Sequence, residues 1–201
     1  MTLTHAQKNL LETYARTLFD WNQSIRLTGY RSLKEIRDKL IGESVRVAQF
    51  FRIGETVLPI VDFGSGNGTP GVVFSILNPD LPVALVDRKR KKRSFLIYLV
   101  GLLDLKNVLI FSDLNEAIDH FSGNNEIALW MKGISVESLQ DALKHRNTPL
   151  PVQIHMFKFG SLDQNKDCNR ICLHVITCPD ERRQSFMTID ISECDYRPGT
   201  I

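Results

Sequence analysis

The sequence predicts an α/β fold: a mostly parallel sheet, a terminal antiparallel strand pair at one edge, and a helical segment at the N-terminus. Three observations predict it. Short apolar runs alternate with helix-like stretches from about residue 57 onward. A glycine cluster within residues 61–71 joins one such run to a helix opened by proline. The first 51 residues carry helix signals throughout. At 201 residues, 43 % hydrophobic and 24 % charged, the chain is expected to be one domain, residues 1–51 packing on an α/β body of residues 52–201. These values exclude a disordered or collagen-like chain. A net charge of +2 gives no global field for nucleic acid, so any such binding must use a local patch.

Thr4 and Gln7 are spaced as a capping box before the stripe Leu10/Leu11, Tyr14, Leu18, Trp21, Ile25. Gly29 ends this helix. Ser32 and Glu35 repeat the cap, and Leu33, Ile36, Leu40, Val47, Phe50 and Phe51 form a less regular apolar face. Val57–Asp62 is the first strand, with Pro59 near its start because proline cannot donate to a ladder. Thr69 as cap and Pro70 at the first helical position open a helix through Leu77. Further strands are expected at Val83–Val86, Val108–Phe111, Ile127–Met131 and Val152–Phe159. Helices follow Asp87 and Ser135. The runs Ile171–Thr177 and Ser185–Ile191 are close enough in sequence to pair antiparallel.

The segment VDFGSGNGTPG, residues 61–71, is the most informative. Four glycines in eight residues exceed what a plain strand-to-helix turn requires. Glycine permits positive φ and close backbone approach to a ligand. Gly66-x-Gly68-x-x-Gly71 matches the dinucleotide fingerprint, a weak pattern alone. The next strand ends at Asp87, about twenty residues on, where a carboxylate can accept hydrogen bonds from both hydroxyls of an adenosine ribose. Nicotinamide dinucleotides and S-adenosyl-L-methionine share that ribose. A pyrophosphate requires helix N–H groups, whereas a sulfonium amino acid tolerates carboxylates, so Asp62 favours S-adenosyl-L-methionine. The cofactor contacts expected from this loop and strand end are Asp62, Gly64, Ser65, Gly66, Gly68 and Asp87.

GSGNGTPG followed by LVDRKRKKRSFL resembles the RsmG (GidB) family, bacterial methyltransferases that make N7-methylguanosine in 16S ribosomal RNA. WNQSIRLT at residues 21–28 resembles the family's WNxxxNLT, and residues 39–44 resemble its RHxxDS. Lys132 falls at the Arg of its SRA, Lys158 at the Lys of its ALKG strand, and Arg182 or Arg183 at an Arg before its last strand. The sequence departs from the pattern at Leu40 for His, Glu43 for Asp, Arg26 for Asn and Leu114 for the Arg of RAE. The resemblance implies a Rossmann-like class I methyltransferase fold and an S-adenosyl-L-methionine cofactor. It adds Leu114, Asn115 and Lys132 to the expected cofactor contacts, the first two through backbone N–H groups facing adenine. It also implies ribosomal RNA or the small ribosomal subunit as partner and methyl transfer to guanine N7. That nitrogen carries an in-plane lone pair at neutral pH, so no general base is required and alignment carries the reaction.

Residues Arg88, Lys89, Arg90, Lys91, Lys92 and Arg93 follow Asp87 directly. A basic run at a helix start opposes the macrodipole, so its placement beside the ligand carboxylate points to RNA phosphates more than to a plain solvated face. Trp21 and Trp130 could stack a base, though Trp21 lies on the apolar stripe. The five histidines are scattered. Cys168, Cys172, Cys178 and Cys194 form no CxxC, so no metal site is expected and free thiols in a reducing cytoplasm are the better reading. The N-terminus has no apolar signal core and no run reaches a membrane span. Two competing readings remain: a non-catalytic paralogue that binds cofactor or RNA, and a nicotinamide oxidoreductase.

Overall fold

The computed structural model describes residues 2–50, 58–124, 126–144, 153–159, 170–176 and 185–190. Helix α1 spans His5–Asn22, and the Thr4/Gln7 capping box is present in both directions. After Gly29, Ser32 caps α2 (Leu33–Glu35). A π-helical segment, Ile36–Ile41, then runs into α3 (Gly42–Phe50). The wider π turn explains the irregular apolar spacing here: it rotates the face by an extra residue, so Ile36, Leu40, Ile41 and Val45 are all buried.

The body alternates β1 (Ile60–Phe63), α4 (Gly71–Leu77), β2 (Val83–Val86), α5 (Arg90–Leu102), β3 (Val108–Phe111), α6 (Leu114–His120), β4 (Glu126–Lys132), α7 (Val136–Lys144) and β5 (Gln153–Phe159). Strands β6 (Arg170–Ile176) and β7 (Ser185–Asp190) follow. The sheet order is β3-β2-β1-β4-β5-β6-β7. The first five strands are mutually parallel, and β6 and β7 each pair antiparallel with the preceding strand. This is an α/β fold with a mostly parallel sheet, consistent with a Rossmann-like methyltransferase fold. The expected strands are met within a residue or two, except the first: β1 starts at Ile60, three residues after the expected Val57, with Pro59 just ahead of it. One helix start differs. Pro70 is the N-cap of α4 with no side-chain cap, the Thr69–Pro70 peptide is cis, and Thr69 Oγ1 donates to Asn67 Oδ1 instead of capping.

Because side chains alternate along a strand, the sheet has two buried faces. On one, Ile60, Val83, Leu85 and Trp130 pack with α1, the π segment, α3, α4 and α5. On the other, Val61, Ala84, Val86, Leu129 and Met131 pack with α6 and α7. The N-terminal helices therefore share a core with the α/β body. Trp130 is fully buried against Phe74, at 4.9 Å between ring centroids, so it cannot stack a base.

Candidate functional site

A cavity of about 590 Å³ opens at the C-terminal ends of the parallel strands, on the α6/α7 face of the sheet. That volume lies within the roughly 300–1,000 Å³ usual for small-molecule sites. The order β3-β2-β1-β4 reverses direction between β1 and β4, the switch point at which open α/β sheets bind ligands. Phe63 and Gly64 from β1, Val86 and Asp87 from β2, Asp113 and Leu114 beyond β3, and Gly133 and Ile134 beyond β4 line it.

Asp87 is held in place before any ligand arrives. Its Oδ2 accepts the Gly66 N–H at 3.0 Å and its Oδ1 accepts the Lys89 N–H at 2.8 Å. Lys92 Nζ lies 3.9 Å from Oδ2, and Arg93 Nη1 donates to the Asp87 carbonyl at 2.8 Å. Each carboxylate oxygen has a second lone pair, so both retain acceptor capacity toward a diol. The backbone bonds from Gly66 and Lys89 fix the carboxylate at the cavity wall without saturating it.

The glycine loop is built by internal packing as much as by ligand approach. Gly64 has φ +79°, and a Cβ there would lie 2.4 Å from Ile134 Cγ1. Gly68 has φ +95°, and its Cβ would lie 2.8 Å from Val72 Cγ2. Ser65 spends its hydroxyl on the sheet, donating to the Asp62 carbonyl at 2.6 Å and accepting the Val86 N–H at 2.9 Å. Tyr14 of α1 donates to the Asn67 carbonyl at 2.7 Å, tying the loop to the N-terminal helices. Burial, and secondarily the nearby Asp62, pushes the Tyr14 hydroxyl well above its ordinary value.

Asp62 sits elsewhere than expected. Period-two alternation points it to the α4 face of the sheet, away from the cavity, where it is 1 % exposed. Its Oδ2 accepts the Gly71 N–H at 3.0 Å, while Oδ1 is buried with no hydrogen-bond partner among the described residues. Burial raises its carboxyl to about 7, against smaller opposing effects from the Gly71 N–H and from Lys132. Asp62 thus closes the N-terminus of α4. Pro70 has no N–H, Gly71 gives its own to Asp62, and Val72 gives its own to the Gly68 carbonyl at 2.8 Å. A pyrophosphate would need those donors.

The cavity therefore gathers Gly64, Asp87 and Leu114 from the expected cofactor contacts, with Gly66 bonded to Asp87 from behind. Ser65, Gly68, Asn115 and Lys132 are not among its lining residues. Asp113 caps α6 by accepting the Asn115 and Glu116 N–H groups, so the Asn115 N–H is not available to adenine. The Asn115 side chain donates to the Ala142 carbonyl at 3.0 Å, joining α6 to α7. Leu114 is 1 % exposed and belongs to the α6/α7 core. Lys132 Nζ pairs with Glu43 of α3. These are two of the positions at which the sequence differs from the family pattern, and the fold makes them partners.

The basic run divides. Arg88, Lys89, Arg90 and Lys91 are exposed, whereas Lys92 and Arg93 are half-buried and turn back to Asp87. Asp87 thereby offsets the charge that six cations bring to the start of α5. Arg88, Lys89 and Lys92 also line the cavity. Sequence reasoning missed Ser112, Asp113, Ser138 and Asp141 on the same wall. Asp113-x-x-Glu116 is a readable capping signal for the first two, but nothing local marks the α7 residues. Lys158 lies on β5, but its side chain and Arg182 and Arg183 lie outside the described residues.

A family model described as "rRNA small subunit methyltransferase G" (GidB) matches residues 7–129, which include the loop, Asp87 and α6. The chain belongs to this family. Three relatives named "Ribosomal RNA small subunit methyltransferase G" illustrate the match. The Mycoplasma mycoides protein is 35 % identical over 123 residues, 59 % of this chain and 88 % of that protein. The Chromobacterium violaceum protein is 37 % identical over 117 residues, 58 % and 54 % respectively. The Streptococcus agalactiae protein is 34 % identical over 111 residues, 55 % and 47 %. The chain thus spans about half the length of several curated GidB relatives it matches. The GidB match ends within β4, so Gly133, Ile134, Ser138 and Asp141 lie beyond it.

No helix among the described residues is long and apolar enough to cross a membrane.

Proposed function

We propose that this chain is a class I methyltransferase that uses S-adenosyl-L-methionine to methylate guanine N7 in small-subunit (16S) ribosomal RNA. The observation that carries the cofactor choice is the closed start of α4 beside Asp87, which lines the cavity and keeps spare acceptor capacity. The first removes the donors a dinucleotide pyrophosphate would need, and the second keeps a fixed acceptor for a ribose diol. This disfavours the nicotinamide reading. GidB membership supports the RNA substrate.

Bound S-adenosyl-L-methionine supplies an electrophilic sulfonium methyl. The chain's own residues bind, orient and exclude water. Asp87 accepts from the ribose hydroxyls, and the positive-φ backbone at Gly64 keeps the floor of the cavity free of a side chain. Phe63, Leu114, Ile134 and Ala142 give the apolar lining on which an adenine can lie. Arg88, Lys89, Arg90 and Lys91 present cations to phosphates beside the opening. No residue has to remove a proton: the N7 lone pair would form the N–CH3 bond as the sulfonium S–CH3 bond broke, leaving a neutral thioether and passing the positive charge to the purine ring.

The test incubates the purified chain with methyl-labelled S-adenosyl-L-methionine and small subunits lacking the modification, followed by nucleoside mass spectrometry. Labelled N7-methylguanosine is expected. Cofactor binding without transfer would favour the non-catalytic paralogue, and label in another nucleoside would overturn the target.

A further inference from the structure

Helix α5 carries an exposed stripe whose composition changes along its length. Arg90, Lys91, Ser94, Ile97, Tyr98, Gly101 and Leu102 are all exposed. At 100° per residue they occupy one continuous side of the helix, about 140° wide. Ile97 is 61 % exposed, and Tyr98 and Leu102 are each 49 % exposed. Three large apolar side chains in six residues of one helix face are more than scattered surface residues account for.

The aromatic in this stripe is braced. The Tyr98 ring lies 5.3 Å from the Trp21 ring of α1 at a 38° tilt, and Trp21 packs edge-on to buried Phe95 at 5.6 Å. The Phe95–Trp21–Tyr98 ladder holds the tyrosine from the core side and leaves about half of it open. Three residues on, a Cβ added at Gly101 would meet nothing within 4 Å, so the surface next to Tyr98 is unobstructed. Lys91 and Tyr98 are seven residues apart on one face, about 10 Å along the axis.

Cations followed by a braced, half-open aromatic on a single face match the two requirements of single-stranded RNA: phosphate charge and a π-face for an unpaired base. We infer that the exposed face of α5 is a single-strand RNA platform, with Arg90 and Lys91 on phosphates and Tyr98 stacking an unpaired base outside the cofactor cavity. This rests on the RNA reading above and extends it from a charge patch to a stacking site. It also assigns the apolar half of α5, which the cofactor cavity does not use. A lipid surface would also accept cations beside apolar groups. The tyrosine braced by a ladder, with an open position beside it, favours a flat base.

The experiment measures binding of the full chain to a fluorescein-labelled single-stranded RNA of about ten nucleotides and mixed sequence, by anisotropy at several salt concentrations. Tyr98→Ala is expected to weaken binding roughly five- to hundredfold with an unchanged salt slope. Tyr98→Phe, which keeps the ring, should bind within about twofold of wild type. Arg90→Ala with Lys91→Ala should lower the slope of log K against log [salt] by roughly 1.4. Thermal melting checks that each variant is folded. The inference is overturned if folded Tyr98→Ala binds as wild type does, if Tyr98→Phe loses as much as Tyr98→Ala, or if duplex RNA of the same length binds as tightly. It is also overturned if the wild type ignores the RNA and binds phosphatidylglycerol vesicles. Retained methyl transfer to small subunits alongside any of these results would leave the proposed function standing while this platform falls.

Discussion

Two aspartates, Asp62 within β1 and Asp87 just past the end of β2, belong to neighbouring parallel strands and have opposite surroundings. Asp62 is sealed under α4, with one oxygen bonded to Gly71 and the other without a hydrogen-bond partner among the described residues. Asp87 is fixed through both oxygens by Gly66 and Lys89, has Lys92 nearby, and lines the cavity. Similar residues at similar places in two βα units thus take different work: one shapes the fold, the other faces the cavity. Strand parity decides this, because Asp62 belongs to the strand and must follow its alternation. Asp87 lies just past its strand and is turned by the loop.

The largest expected difference is in pH response. With its carboxyl raised from an ordinary 3.8 to about 7, folded Asp62 keeps a proton that the unfolded chain has already released. Stability contributed by this group therefore falls as pH rises from about 4 to about 7, by up to about 1.4 kcal/mol per pH unit, and is level above that. Asp62→Asn cannot ionise, so its stability relative to wild type should rise through that window. Urea unfolding of both proteins from about pH 4 to about pH 8 reads this directly. Parallel profiles would mean that Asp62 is not sealed as described.

Next in size are the glycines facing each aspartate. At Gly71 a Cβ would lie 2.5 Å from Leu85 Cδ2 and 2.8 Å from Asp62 Oδ2. Gly71→Ala should cost about 1–3 kcal/mol or more, because packed groups on both sides must move. At Gly66 the nearest atom is the flexible Lys92 Nζ, 3.2 Å away, so only the backbone strain at φ +52° remains. Gly66→Ala should cost about 1 kcal/mol. Denaturant unfolding of both variants should show the larger loss for Gly71→Ala; the reverse order would contradict the packing described around Gly71.

These contrasts also show what was legible in the sequence. Every strand, the antiparallel terminal pair, both N-terminal caps and the loop with Asp87 were readable, because each depends on local periodicity or on residues close in the chain. The missed features depend on which face a residue meets or on what distant segments bring. Its place just before the glycines suggests a cofactor contact for Asp62, but strand parity puts it on the other side of the sheet. The π turn was visible only as irregular spacing. Ser138 and Asp141 reach the cavity through the packing of α7, stitched to α6 by Asn115, which no local pattern announces. The Glu43–Lys132 pair joins residues 89 positions apart, so two departures that looked separate in sequence became one interaction in the fold.

The proposed occupant of the cavity at Asp87 is S-adenosyl-L-methionine, and calorimetric titration with S-adenosylhomocysteine reads that occupancy. The wild-type chain should bind S-adenosylhomocysteine and not the nicotinamide dinucleotide. Folded Asp87→Ala should bind S-adenosylhomocysteine about ten- to hundredfold more weakly, the loss expected when a charged acceptor is removed. Unchanged affinity in a folded Asp87→Ala variant, or binding of the dinucleotide in preference, would contradict it.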